Sequence, residues 1–127
     1  MADKAKLVSN TRIFLDMRTL LREIIDLSPN FPRMYRDIPV EMRHISITLI
    51  KCISHAYITH DRAERIKCLE SFQSDFETLK MLVRESGERQ WIKGKGRHAH
   101  MVEIMDAIGK QCSAWKNSLI KGMNCPE

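Results

Sequence analysis

Ile13, Phe14, Met17, Leu20, Leu21, Ile24 and Ile25 recur at helical spacing, with Arg12, Asp16, Arg18, Arg22 and Glu23 between them. That pattern places the apolar side chains along one stripe of an α-helix and the charges on the opposite face. An amphipathic stripe is stable only when another element covers it. The rest of the chain therefore has to supply partners of similar length, and three further segments do.

The first helix is expected over 10–26. It stops near Leu27, because Ser28-Pro29 cannot continue it. The segment 29–39 holds three of the four prolines and reads as a connection, with Phe31 turned toward the core. A second helix is expected over 37–57, with Asp37 as its cap and Pro39 tolerated in the first turn. Ile45-Ser46-Ile47-Thr48-Leu49-Ile50 alternates like a strand, and its β-branched residues suit one. The apolar pattern nonetheless runs from Ile38 to Tyr57, longer than a usual strand, and no partner strand is visible. As a helix it has the stripe Met42, Ile45, Leu49, Ile53 and Ala56. Ile47, Ile50 and Tyr57 lie off that stripe, so the helix is expected to be covered on more than one face, centrally or at a subunit contact.

A third helix is expected over 62–86. Asp61-Arg62-Ala63-Glu64 reads as a capping box, and Ile66, Leu69, Phe72, Phe76, Leu79, Leu82 and Val83 form the stripe. Gly87 is the expected left-handed cap. A glycine-containing loop follows, and a fourth helix over 98–119 has the stripe Met101, Ile104, Met105, Ile108, Cys112, Trp115 and Leu119. Helices of this length are about 25–40 Å long at 1.5 Å per residue. With short connections they make an all-α, up-down-up-down four-helix bundle. The 127 residues fit one domain, with a loose tail expected from Gly122. Only five glycines and four prolines are present, too few for the many turns of an all-β chain.

No run of 18 apolar residues suggests a membrane span. Residues 1–10 lack the apolar centre and small-residue cleavage site of a secretory leader. Cys52, Cys68, Cys112 and Cys125 form no CxxC and are read as reduced thiols of a cytoplasmic protein, the first three as core fillers. Glu41 and His44 make one Glu-x-x-His pair, whereas a di-metal bundle needs two such pairs and two further Glu. His98 and His100 diverge by about 200° on a helix and cannot share a metal. No Walker loop, dinucleotide fingerprint or nucleophile elbow is present. The expectation is a chain without catalytic groups, metal, cofactor or small-molecule substrate.

The charge is more informative. The net charge is +5, which favours an anionic partner, nucleic acid first. The third helix opens with Arg62, Arg65 and Lys67, and closes with Lys80 and Arg84 on one face. The following loop adds Arg89, Lys93, Lys95 and Arg97, with His98 and His100 beyond. The fourth helix contributes Lys110, Lys116 and Lys121. Such groups replace counterions at phosphates and give salt-sensitive, sequence-tolerant binding. Trp91 in the basic loop is placed to stack on a base, or to fold back on the bundle.

The layout resembles the accessory variability determinant (Avd) proteins of diversity-generating retroelements. These belong with the wider four-helix-bundle group of S23-like proteins encoded in ribosomal RNA intervening sequences. The resemblance rests on Phe31-Pro32-Arg33, on Leu49-Ile50-Lys51-Cys52-Ile53-Ser54-His55-Ala56, and on Leu79-Lys80-Met81-Leu82-Val83-Arg84. Ile108-Gly109-Lys110 and Ala114-Trp115-Lys116-Asn117-Ser118 also match, and the likeness covers 12–120. The S23-like branch typically has Asn-Ile-Ala-Glu-Gly late in its second helix. Ser54-His55-Ala56-Tyr57-Ile58 departs from that and sides with Avd. The resemblance implies a homopentamer that binds a reverse transcriptase and nucleic acid, RNA or DNA, through a basic surface and supports mutagenic copying. Lys80, Arg84 and Lys110 are the positions it offers for polar contacts. An S23-like structural protein, with its charge serving solubility, is the alternative.

Overall fold

The computed structural model describes residues 11–122. They form four helices: α1 Arg12–Leu27, α2 Asp37–Ile58, α3 Arg62–Glu88 and α4 Arg97–Ile120. No strand occurs among the described residues. Two 3-10 turns, Ser28–Asn30 and Arg33–Tyr35, link α1 to α2, and three residues, 59–61, link α2 to α3. Each helix packs on its neighbours in sequence, and α4 returns to α1. The expected up-down-up-down bundle is thus the fold. Asn10 at the expected start of the first helix, most of the expected tail and Cys125 lie outside the described residues.

The buried positions explain why four separate stripes close on one core. They are Ile13, Met17, Leu20, Ile24 and Leu27 in α1, and Pro39, Met42, Ser46, Leu49, Ile53 and Ala56 in α2. In α3 they are Leu69, Phe72, Phe76, Leu79, Val83 and Ser86; in α4, Met101, Met105, Ile108, Cys112, Trp115 and Leu119. In every helix the steps alternate between three and four. This is the 3.5-residue period of coiled-coil-like bundles, in which two positions per heptad are sealed and their flanks are half covered. Each fully buried Leu, Ile, Met or Phe contributes about 1.5–3 kcal/mol before conformational entropy is set against it.

Several stripe positions move accordingly. Ile45, Ile66, Leu82 and Ile104 flank the core instead of lining it. The sealed position in α2 belongs to Ser46, whose hydroxyl donates to the Met42 carbonyl at 2.8 Å and so leaves no polar group unmade. Ser86 does the same in α3, donating to Leu82 at 2.7 Å. Ile50 and Tyr57, off the expected α2 stripe, are half-buried against the core. Val40, Ile47 and Ile58 remain 46%, 43% and 43% exposed on α2. The apolar excess of this helix is therefore divided: part is covered within the chain and part is open.

The helix ends correct three expectations. Asp37 is the first helical residue and not the cap; Arg36 precedes it without a side-chain capping bond. A carboxylate in the first turn still favours the positive end of the helix dipole. Asp61 does cap α3, accepting from the Ala63 amide at 3.2 Å, but Glu64 leaves the capping box and reaches His55 Nε2 at 3.4 Å. Gly87 is not the left-handed cap. α3 runs on to Glu88, and Gln90 takes the left-handed conformation at φ 63°. The Trp91 amide then donates to the Ser86 carbonyl at 2.9 Å and the Gln90 amide to Gly87 at 3.0 Å, a Schellman closure. Glycine at 87 serves packing instead: a Cβ there would collide with the His98 imidazole.

Candidate nucleic-acid interface

The basic residues singled out in the sequence do not form one surface. Neighbouring helices alternate in direction, so the start of α3 and the loop after it lie at opposite ends of the bundle. The 27 residues of α3 put those ends about 40 Å apart at 1.5 Å per residue. Arg62, Arg65 and Lys67 stand at one end, with Lys110 and Lys116 on the half of α4 that runs toward it. Arg84, Arg89, Lys93, Lys95 and Arg97 stand at the other.

Several of these bases serve the fold. Arg65 Nε donates to the Thr59 carbonyl at 2.7 Å and Nη2 to Tyr57 at 3.3 Å, closing the last turn of α2. Arg97 Nε donates to Glu23 Oε1 at 2.9 Å, joining α4 to α1. Lys116 Nζ reaches Gln73 at 3.2 Å and Glu70 at 3.4 Å across the α3–α4 seam. Arg62 reaches the Gly122 carbonyl at 3.4 Å. Lys80 pairs with Glu77 at 2.7 Å and lies 5.6 Å from the Phe76 ring centroid.

Lys67, Arg84, Lys93, Lys95 and Lys110 are exposed and make no ion pair or hydrogen bond among the described residues. Their charge is free to meet an anion. Lys80 and Lys110 line one groove of about 360 Å³ between α3 and α4, floored by Phe76, Met105 and Gly109. Its mouth also carries Glu77 and Asp106, so its field is mixed. A second groove, of about 530 Å³ between α1 and α4, has Tyr57 and Trp115 in its wall.

Trp91 folds back on the bundle. Its ring lies 5.2 Å from Phe31 and 5.0 Å from Tyr35 between centroids. Arg89, bonded to Glu85 at 2.7 Å, lies over both Tyr35 and Trp91. Sequence reasoning missed that Phe31 and Tyr35, and with them the link that carries Arg33 and Arg36, meet this loop. The sequence separation hid this, although two bases without an acid in 28–36 were a readable signal.

Cys52, Cys68 and Cys112 form no disulfide among the described residues. Cys112 is sealed in the core, and desolvation pushes its thiol up to about 12, with Lys116 pulling the other way. Burial also raises Cys52 and Cys68. No three His, Cys, Asp or Glu side chains gather around a common point among the described residues, and Glu41 and His44 are both exposed. No helix among them is long and apolar enough to cross a membrane.

Fold and surface together define a heptad-spaced, all-α four-helix-bundle protein with free cations at both ends. The profile of the bAvd-like family matches residues 7–119, and the chain belongs to that family. No curated protein and no solved structure gives a significant match.

Proposed function

We propose that this chain is a non-enzymatic accessory subunit of a diversity-generating retroelement. In this reading it binds the reverse transcriptase and nucleic acid, template RNA or its cDNA, through its basic surface and supports mutagenic retrohoming. It works in the cytoplasm as a homopentamer. Membership of the bAvd-like family across residues 7–119 carries the reading. Lys67, Arg84, Lys93, Lys95 and Lys110, unpaired among the described residues, support an anionic partner. Val40, Ile47 and Ile58, left open on α2, support a contact between copies.

The test is binding of the purified chain to nucleic acid over a series of salt concentrations, with a screen for a co-purifying reverse transcriptase from its source cells and a solution mass. A mass five times that of one chain and a steep salt dependence are expected. Lys80→Glu with Arg84→Glu should weaken binding while the helical melt is kept, and should flatten the salt slope by about two. No binding at low salt and no co-purifying reverse transcriptase would end the reading. Normal binding by the double variant would leave Lys80 and Arg84 as surface charge only.

A further inference from the structure

Two links meet at one end of the bundle, and neither contains an acid. Residues 28–36 carry Arg33 and Arg36; residues 89–96 carry Arg89, Lys93 and Lys95. Arg36 Nε donates to the Phe31 carbonyl at 3.3 Å and Arg89 pairs with Glu85, whereas Arg33, Lys93 and Lys95 have no side-chain partner among the described residues and repel one another. The acids nearest in sequence are Asp37 and Glu88, which directly adjoin the two links, then Asp26 and Glu85, the last already bonded to Arg89.

The same end holds an aromatic cluster that is only partly sealed. Phe31 is buried and anchors it, Trp91 packs on Phe31 and Tyr35, and Tyr35 stays 37% exposed beside Met34 at 79%. The Arg89 guanidinium lies 5.8 Å from the Tyr35 centroid and 5.3 Å from that of Trp91, steadied by its bond to Glu85. A partly exposed ring beside a positioned guanidinium, with exposed lysines on the same loop, is the chemistry that takes an unpaired base and its flanking phosphates. A duplex offers such a platform no free base face.

We infer that the end formed by 28–36 and 89–96 binds an unpaired stretch of nucleic acid. One base stacks on Tyr35 and the Arg89 guanidinium, and Arg33, Lys93 and Lys95 meet the adjoining phosphates. The inference rests on the nucleic-acid reading above and names a site and a strand state within it.

Trp91 reports on the site, since the other tryptophan, Trp115, is 3% exposed and near the far end of α4. The full chain is titrated with a single-stranded oligonucleotide of about 15 residues, as RNA and as DNA, with the matching duplex, with heparin and with polyglutamate. The single strand should change Trp91 emission and bind about tenfold tighter than the duplex. Tyr35→Ala should weaken it by about tenfold with the helical melt kept, and Lys93→Glu with Lys95→Glu should remove the emission change. Should Tyr35→Ala lose its helical signal, the lysine variant, confined to an exposed loop, decides alone. Duplex or heparin binding as tightly as the single strand, with Tyr35→Ala silent, would overturn the site in favour of charge alone. An emission change with polyglutamate and none with the oligonucleotide would overturn it in favour of an acidic protein partner. If Lys80→Glu with Arg84→Glu abolishes binding while both end variants bind normally, the nucleic-acid reading stands and this site falls. If the parent chain binds no nucleic acid at low salt, both fall.

Discussion

Arg97 and Glu23 form an ion pair at 2.9 Å that ties the first residue of α4 to α1 across 74 positions of sequence. Both side chains are mostly buried, at 27% and 22% exposure, so the bond is less screened than one at the surface. It also fixes the face on which α4 closes the bundle against α1. Arg97→Met should cost about 1–3 kcal/mol, because it leaves the Glu23 carboxylate half-buried and unpaired. Glu23→Leu combined with Arg97→Met should recover part of that loss. Urea denaturation checks both, and an unchanged midpoint for Arg97→Met would mean the pair does not hold the seam.

Three backbone positions at helix level separate space from conformation. Gly87→Ala should destabilise by about 1–3 kcal/mol, since the added Cβ meets the His98 ring. The Nε2 of that ring is buried without a partner among the described residues. Gly109→Ala meets only ordinary contact, 3.7 Å from Phe76, and should gain up to about 1 kcal/mol of helix propensity. Gln90→Gly should gain about 0.5–1 kcal/mol by relieving the left-handed backbone at φ 63°. Thermal melts of the three variants give the ranking directly. Equal melts for the two alanine variants would contradict the packing around His98.

Cys112 links stability to alkaline pH. Its thiol titrates near 12 in the fold, above the ordinary value of 9.0 that applies once the chain unfolds. The unfolded state therefore loses its proton first as pH rises. The contribution is fully present below about pH 9 and is lost between there and about pH 12, with a slope near 1.4 kcal/mol per pH unit. Cys112→Ala or Cys112→Ser should flatten that limb while lowering stability at neutral pH through the lost packing. Denaturation midpoints at stepped alkaline pH measure it, and identical slopes for parent and variant would refute the link.

Much of the architecture was legible because the heptad signal is local. Ile13 to Ile24 and Met101 to Leu119 announce their helices by spacing alone, and the Asp61 cap lies next to the turn it closes. What was not legible depended on contacts between distant residues. Gly87 looked like a helix stop, but its missing side chain makes room for the His98 ring of α4, a contact between distant residues. Ile45 looked like core, yet packing at a 3.5-residue period gives the sealed position to Ser46, whose hydroxyl is satisfied by its own helix. Arg65 and Arg97 looked like candidates for an anion because their partners, Thr59, Tyr57 and Glu23, could not be placed.

The charge pattern behaved in the same way. The sequence by itself determined that the chain is helical, amphipathic four times over and rich in bases, since those properties follow from residue type and spacing. Only the tertiary structure decided how the bases group. Antiparallel packing carries the two ends of α3 apart and brings 28–36 beside 89–96 through Phe31, Tyr35 and Trp91. One expected cluster becomes a set of fold-holding arginines, a mixed groove and one basic aromatic end. The physical reason is that helix propensity acts over a few residues, whereas a charged side chain answers to whatever the fold places within a few ångströms of it.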